Sequence, residues 1–370
     1  MTDDDTTVSP DIAPAFHDIV FPGTFALELG GALPALTLRY ETYGALNAAG
    51  DNAVLVCHAL TGDHHVAGRY APDDPKPGWW DGFVGAGRPL DPARFFIIGV
   101  NVLGGCRGST GPCSPNPATG AAYGPDFPEI TVGDMVRAQR LLVRALGVRR
   151  LHAVIGGSLG GMQGLHWASE FPGEVANVAA LACAARQGAQ AIAFNVVGRA
   201  AIAADAAWQG GRYAPETPPA AGLAVARMLG HITYLCPEKL ERRFGRQRRD
   251  SGMFEVESYL RHQGEKFVRR FDANSYATIT RATDRFDLAE RTGGDLTAAL
   301  TPFAGQGGRV SMLAFSSDWL YPPAASRAVA DAFRAAGGVA EYCELQTDAG
   351  HDAFLFPTPE LLAAVAAALR

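Results

Sequence analysis

Residues 151–172 constrain this chain more than any other stretch. The apolar run Leu151 to Ile155 reads as a short buried strand. It enters Gly156-Gly157-Ser158-Leu159-Gly160-Gly161, a Gly-x-Ser-x-Gly pattern. Met162 to Ala168 then reads as a helix stopped at Phe171-Pro172. Strand, sharp turn and helix in that order are what a nucleophile elbow requires. The serine must occupy strained backbone, for which a positive φ is predicted, and the flanking glycines leave room for the helix to cross the sheet. Its hydroxyl then stands clear of the strands, near the positive end of the helix. The alternative is a glycine-rich turn holding an incidental serine, and what separates the two is whether an acid and a histidine follow in the right order.

The rest of the chain supplies a sheet around this unit. Residues 1–20 read as a loose lead-in, and Thr24–Leu29 with Leu33–Tyr43 as an antiparallel hairpin about Gly30-Gly31. Asn52–Cys57 and Phe95–Val100 are continuous apolar runs, as strands buried on both faces should be. Asp134 is the expected N-cap of a helix showing Met135, Ala138, Leu142 and Leu146 on one face and ending at Gly147. A further strand is expected over Val175–Cys183. Strands alternating with helices predict an α/β fold with a mostly parallel, doubly wound sheet. Such sheets bind ligands beyond the carboxyl ends of their strands, where Ser158 and the loops after Cys57 and Val100 should converge. The second of these loops, Asn101 to Pro112, is too glycine-rich for a helix, and long ordered loops of this kind are usually functional.

Over 186–301 the strand rhythm disappears, and helical patterns cover Gln190–Trp208, Ala220–Thr233, Glu255–Arg270 and Ser275–Arg285. This stretch reads as a helical lid inserted into a core made of 1–185 and 302–370. Strands resume at Arg309–Phe315 and Glu341–Leu345, and a closing helix covers Pro359–Leu369.

Bulk composition narrows the partners. Hydrophobic content of 48% with 19% charged residues suits a globule with a substantial core. A net charge of -6 gives no reason to expect nucleic acid or an acidic membrane. No apolar run reaches membrane-spanning length, and Met1-Thr2-Asp3-Asp4-Asp5 is the opposite of a signal peptide's basic start. Six scattered cysteines suit reduced thiols better than a disulfide framework, so the expected location is the cytoplasm. His64-His65 lacks partners at ligand spacing, and Cys106 and Cys113 lack a second pair, so no metal is expected. The basic run Glu241 to Arg249 reads as a solvated lid loop, or else as a contact for the phosphates of a nucleotide-bearing substrate.

A serine hydroxyl needs a base to take its proton, and the base needs an acid to hold its tautomer. Past the lid, Val310–Phe315 runs into Ser316-Ser317-Asp318, an acid at a strand's carboxyl end. The following strand runs into Thr347-Asp348-Ala349-Gly350-His351-Asp352. Ser158, Asp318 and His351 thus have the chain order nucleophile, acid, histidine. Asp318 has a rival role as the N-cap of a helix over Pro322–Ala332, and Asp348 and Asp352 are rival acids, badly placed to reach the far nitrogen of so close a neighbour. Oxyanion donors are expected from the backbone N–H groups of Leu159 and of Leu60, in the loop His58-Ala59-Leu60-Thr61.

Longer strings accompany these residues: His58–Asp63, Gly78–Gly82, Asn101–Pro112, Gly156–Gln163, Tyr259–Gly264, Phe271–Tyr276 and Gly350–Asp352. In them, and over nearly its whole length, the chain resembles the homoserine O-acetyltransferases of the α/β-hydrolase fold. The resemblance implies transfer of an acetyl group from acetyl-CoA to the hydroxyl of L-homoserine, in methionine biosynthesis, by double displacement in a homodimer built on the lid. Acetyl-CoA would be a co-substrate, with no permanently bound cofactor. Ser158 would attack the thioester, His351 would serve as base and Asp318 would orient it. Gly222–Arg227 with Thr233-Tyr234 resembles the substrate segment, so Arg227 would meet the carboxylate, Tyr234 would line the site and Asp352 would hold the ammonium group. Two departures stand out. Leu159 replaces the methionine of many relatives, but only its N–H matters for the oxyanion. Leu320 lies where succinyl-using relatives tend to carry arginine, which favours acetyl as the acyl group. The same scaffold also hosts serine acylation, and the same triad would serve an esterase or thioesterase.

Overall fold

The computed structural model describes Ile12 and residues 14–370. The acidic start Met1–Asp5 lies outside the described residues, as does most of the expected lead-in. The elements run β1 (Phe16–Ala26), β2 (Ala32–Tyr43), β3 (Ala53–Cys57), β4 (Phe96–Val100), α1 (Val132–Ala145), β5 (Leu151–Gly157), α2 (Leu159–Glu170) and β6 (Val175–Leu181). Six helices follow: α3 (Ala189–Ala203), α4 (Ala220–Tyr234), α5 (Pro237–Phe244), α6 (Glu255–Val268), α7 (Ala273–Asp284) and α8 (Leu296–Gly305). The chain then closes with β7 (Arg309–Phe315), α9 (Pro323–Ala335), β8 (Val339–Leu345) and α10 (Pro359–Ala368).

Among the described residues the strands form one eight-stranded sheet in the order β1-β2-β4-β3-β5-β6-β7-β8. β1 pairs β2 and β2 pairs β4 antiparallel, while every pairing from β4 to β8 is parallel. The apolar composition of the central strands has its reason here. Every residue of β3 and β4 is buried, because helices or loops cover both faces. The chain moves from β3 to β4 on one side and returns to β5 on the other, so strand order reverses between β3 and β5. At that switch point Cys57 pairs with Gly156, and a crevice opens beyond the carboxyl ends of the two strands.

Three local expectations are corrected. Phe16–Val20 is strand and not lead-in: β1 pairs along Phe16–Ala26, and the chain turns at Leu27–Gly31. Most of β1 is exposed on this edge, so it lacks the buried alternation that marks a strand in sequence. Asp134 is not the N-cap of α1. Thr131 is the cap, accepting from the Asp134 N–H, while the Asp134 carboxylate accepts from the Thr131 N–H in a reciprocal capping box. Finally, α5 and α8 occupy stretches with no expected helix. Pro302 obscures α8 in sequence, and α5 takes in the first part of the basic run.

The helices between β6 and β7 pack largely on one another, α3 on α4 and α7, and α4 on α6. α8 instead packs on α2 and α9 of the core. Among the described residues no helix is long and apolar enough to cross a membrane.

Candidate active site

The elbow forms because its glycines remove every side chain that would block it. A Cβ on Gly160 would strike the carbonyl oxygen of Cys57, and one on Gly161 would lie 2.7 Å from the Cys183 sulfur. α2 therefore crosses close over β3. Ser158 pivots between strand and helix with φ +58° and ψ -123°. Such backbone costs on the order of 1–3 kcal/mol and persists only where its surroundings over-determine it. Here the Ser158 N–H donates to Leu181 O at 2.9 Å, and its carbonyl accepts from the Met162 N–H at 3.1 Å.

Asp318 lies just past β7, buried at 3% exposure. Its Oδ1 accepts from the N–H groups of Leu320 (3.0 Å) and Tyr321 (2.9 Å), and its Oδ2 accepts from His351 Nδ1 at 2.8 Å. With the proton on Nδ1, Nε2 is left bare. Pro322, not Asp318, caps α9, so the carboxylate organises the turn ahead of that helix while holding the ring. Ser317 Oγ accepts from the Gly350 N–H at 2.9 Å and clips the acid's loop to the histidine's loop. Of the rival acids, Asp348 forms an ion pair with Arg242 at the surface. Asp352 faces a cavity instead of the back of the ring. Burial opposes charging His351, but the charge and hydrogen bond of Asp318, aided by Asp352, outweigh it and lift the imidazole above its ordinary value. Burial likewise raises the Asp352 carboxyl, against the pull of His351 and Arg227.

Two cavities meet at the elbow. The larger, ≈ 550 Å³, is lined by Leu60, Ser158, Arg227, Tyr234, His351 and Asp352 among others. The smaller, ≈ 50 Å³, is walled by Leu60, Ser158, Leu159, Tyr234 and Leu320, with Phe194 and Tyr276. Ser158, Leu60 and Tyr234 belong to both, so the serine stands at their junction. Ser158 and His351 face the larger space without a hydrogen bond between them, a common state of catalytic pairs that tighten only around substrate.

The loop after β3 is held on two sides. His58, kept uncharged by burial, accepts the Val102 N–H at its Nε2 (3.1 Å) and so ties this loop to the one after β4. Gln163 of α2 donates to His58 O (3.3 Å) and to Leu159 O (3.1 Å). Leu60 and Leu159 both wall the smaller cavity beside Ser158. Further along the loop, His65 Nδ1 lies 3.2 Å from both oxygens of the buried Glu41, which Tyr43 and Tyr70 also contact. Among the described residues, no three His, Cys, Asp or Glu side chains gather as a metal ion would need, and all six cysteines are free.

Arg227 of α4 donates to Thr61 Oγ1 at 3.3 Å, with its guanidinium over Phe267 (5.0 Å) and Tyr234 (5.5 Å). The Tyr234 ring in turn lies 5.9 Å from that of His351. Sequence reasoning missed Arg270, which lines the same cavity and donates to Thr61 O at 2.9 Å. Nothing in its local sequence, Arg269-Arg270 at the end of a helix, separates it from the other arginines of residues 186–301.

Residues 52–358 match the family described as alpha/beta hydrolase fold. A homoserine O-acetyltransferase of Caulobacter vibrioides is 54% identical over 355 residues, 93% of this chain and 92% of that protein. A homoserine O-succinyltransferase of Alkalilimnicola ehrlichii is 49% identical over 353 residues, 93% of this chain and 91% of that one. Among solved structures, the homoserine O-acetyltransferase from Bacillus anthracis superposes with a TM-score of 0.90 at 28% identity, covering 97% of this chain and 98% of that one. The chain belongs to the homoserine O-acetyltransferase family of the α/β-hydrolase fold.

Proposed function

We propose that this enzyme moves an acetyl group from acetyl-CoA to the hydroxyl of L-homoserine, an activation step in methionine biosynthesis, through an acyl-Ser158 intermediate. In the first half-reaction His351 takes the proton of Ser158 while the serine oxygen bonds to the thioester carbon. The carbon–sulfur bond then breaks, and the proton passes from His351 to the departing thiol. In the second, His351 takes the homoserine hydroxyl proton, the new ester bond forms, and the proton returns to Ser158 as the acyl–serine bond breaks. Asp318 keeps the ring in the tautomer that accepts at Nε2. The N–H groups of Leu60 and Leu159 receive the oxyanion in both halves.

The observation that carries this reading is the elbow serine at the mouth of two unequal cavities, with the buried His351–Asp318 pair on its larger side. The smaller cavity offers apolar room next to Ser158 for an acetyl methyl, and the half-buried Leu320 in its wall offers no charge to a succinyl carboxylate. The larger cavity carries Arg227 for the acceptor's carboxylate, Tyr234 beside it and Asp352 for the ammonium group. The enzyme works in the cytoplasm as a homodimer paired through α3 and α4, where Val196 and Val197, Val225 and Ile232 stand exposed. Val197→Asp should convert a dimer to a monomer in light scattering; an unchanged mass removes this face from the interface.

The deciding experiment incubates the enzyme with acetyl-CoA, with and without homoserine, and follows thiol release and product. Fast release only with the acceptor, together with O-acetylhomoserine, is the expected result. Equal release in its absence and no ester product would make the enzyme a hydrolase.

A further inference from the structure

Arg227 and Arg270 come from different elements, the middle of α4 and the turn after α6, and converge on one point of the larger cavity. Each donates to Thr61, Arg227 to the hydroxyl at 3.3 Å and Arg270 to the carbonyl at 2.9 Å. Both guanidinium groups lie against the same ring, Phe267, at 5.0 and 5.2 Å. Among the described residues neither forms an ion pair with a carboxylate. Asp63, the acid nearest in influence to Arg270, pairs with Arg107 at 3.8 Å. Two like charges are therefore held together in a partly desolvated pocket with no carboxylate in ion-pair contact, Asp63 and Asp352 of the same cavity acting on them only from longer range. Burial, with Arg227 adding to it, pushes Arg270 down to about 10. Placing like charges together is unfavourable unless a ligand supplies the missing negative group.

The position of the pair indicates which group that is. Arg227 lies over the Tyr234 ring, which faces His351, so Arg227 sits one aromatic ring away from the imidazole, and Arg270 stands beside it on the shared Phe267 ring. An acceptor whose hydroxyl reaches His351 brings its own carboxylate to this distance. The phosphates of CoA lie a whole pantetheine arm from the thioester. We propose that Arg270 is a second carboxylate-binding residue, which with Arg227 forms a two-guanidinium clamp that selects α-amino-acid hydroxyls over simple amino alcohols. This rests on the reading of the site as one for an amino-acid acceptor. Since both arginines also hold Thr61, next to the oxyanion donor Leu60, occupation of the clamp steadies that loop in the second half-reaction.

The test compares homoserine with 3-aminopropan-1-ol, which keeps the hydroxyl and the ammonium and lacks the carboxylate. Arg270→Gln should lower kcat/KM for homoserine by roughly 10–100-fold, as expected for a lost charged hydrogen bond. It should slow 3-aminopropan-1-ol and acyl-enzyme formation from acetyl-CoA by a clearly smaller factor, because the lost bond to Thr61 O bears on both half-reactions while the lost carboxylate contact bears on homoserine alone. Arg270→Lys, which keeps the charge without the fork, should fall between, and it carries the test if the glutamine variant does not fold. Equal losses for both acceptors would make Arg270 a support of the Thr61 loop only, and slower acylation with a raised KM for acetyl-CoA would make it a phosphate contact. Unchanged kinetics would remove it from the site. Each of these three outcomes overturns the clamp. If wild-type enzyme makes no ester from homoserine, the reading beneath the clamp fails first, and that result is visible before any variant is made.

Discussion

Asp318→Asn removes one charge and almost nothing else. The amide oxygen can still accept the N–H groups of Leu320 and Tyr321, now held at 3.0 and 2.9 Å, so the turn ahead of α9 keeps its two hydrogen bonds. What changes is the 2.8 Å contact with His351 Nδ1. The amide nitrogen can only donate there, so the ring must give up its proton at Nδ1 and carry it on Nε2, facing Ser158. A ring in that tautomer cannot take the serine proton. Triads that lose their acid in this way fall by about 10⁴ in kcat, about 5.5 kcal/mol of barrier. A second consequence follows from charge. Burial holds the His351 pKa down, and Asp318 is the largest of the influences that raise it. The base acts when unprotonated, so wild-type kcat/KM for acetyl-CoA should fall on acidification with an apparent pKa above the ordinary histidine value of 6.5. In the asparagine variant that limb should move to lower pH, because burial is then opposed by Asp352 alone. Thiol release from acetyl-CoA between pH 5 and 9, with intact-protein mass to score acyl-Ser158, measures both effects, and thermal melting verifies the fold. A loss of less than about tenfold with a normal melt, or a wild-type limb at or below 6.5, would refute the assigned pairing.

Other substitutions probe other parts of the site. Arg227→Lys keeps the charge and loses the fork, and should raise KM for homoserine about tenfold and more than KM for acetyl-CoA; an unchanged homoserine KM removes Arg227 from acceptor binding. Leu320→Arg places a cation in the wall of the small cavity, so the ratio of succinyl-CoA to acetyl-CoA turnover should rise in a competition assay, and a constant ratio counts against Leu320 as a selector. Gly160→Ala drives a methyl group into the backbone carbonyl of Cys57 and should cost about 1–3 kcal/mol in urea unfolding. A midpoint equal to wild type would mean that α2 and β3 can separate without penalty.

The features legible in the sequence are those encoded within a few neighbouring residues. The elbow is local, since glycines on both sides of Ser158 state how closely the next helix must approach. The buried strands are local too, because full burial writes itself as an unbroken apolar run, as in Ala53–Cys57. Where burial is lost the signal goes with it, and so β1, an exposed edge, begins eight residues before the strand expected at Thr24. Capping was only half legible. Asp134 is the residue that stands out, but its role depends on reciprocity with Thr131.

Chain order and strand-end position pointed to Ser158, Asp318 and His351, with Asp348 and Asp352 set aside as too close along the chain to reach the far nitrogen of the ring. The fold decides, because the clip from Ser317 to Gly350 turns the ring toward Asp318 and leaves Asp348 at the surface with Arg242. The convergence of Arg227 and Arg270 on Thr61 has no sequence signature at all, since it joins three segments far apart in the chain. By itself the sequence determined the alternation of strand and helix, the strained serine and the order of its partners, all consequences of short-range sterics and burial. Only the tertiary structure decided which charges face one another and that Ser158 stands between a large cavity and a small one, because both depend on contacts made after distant segments have packed.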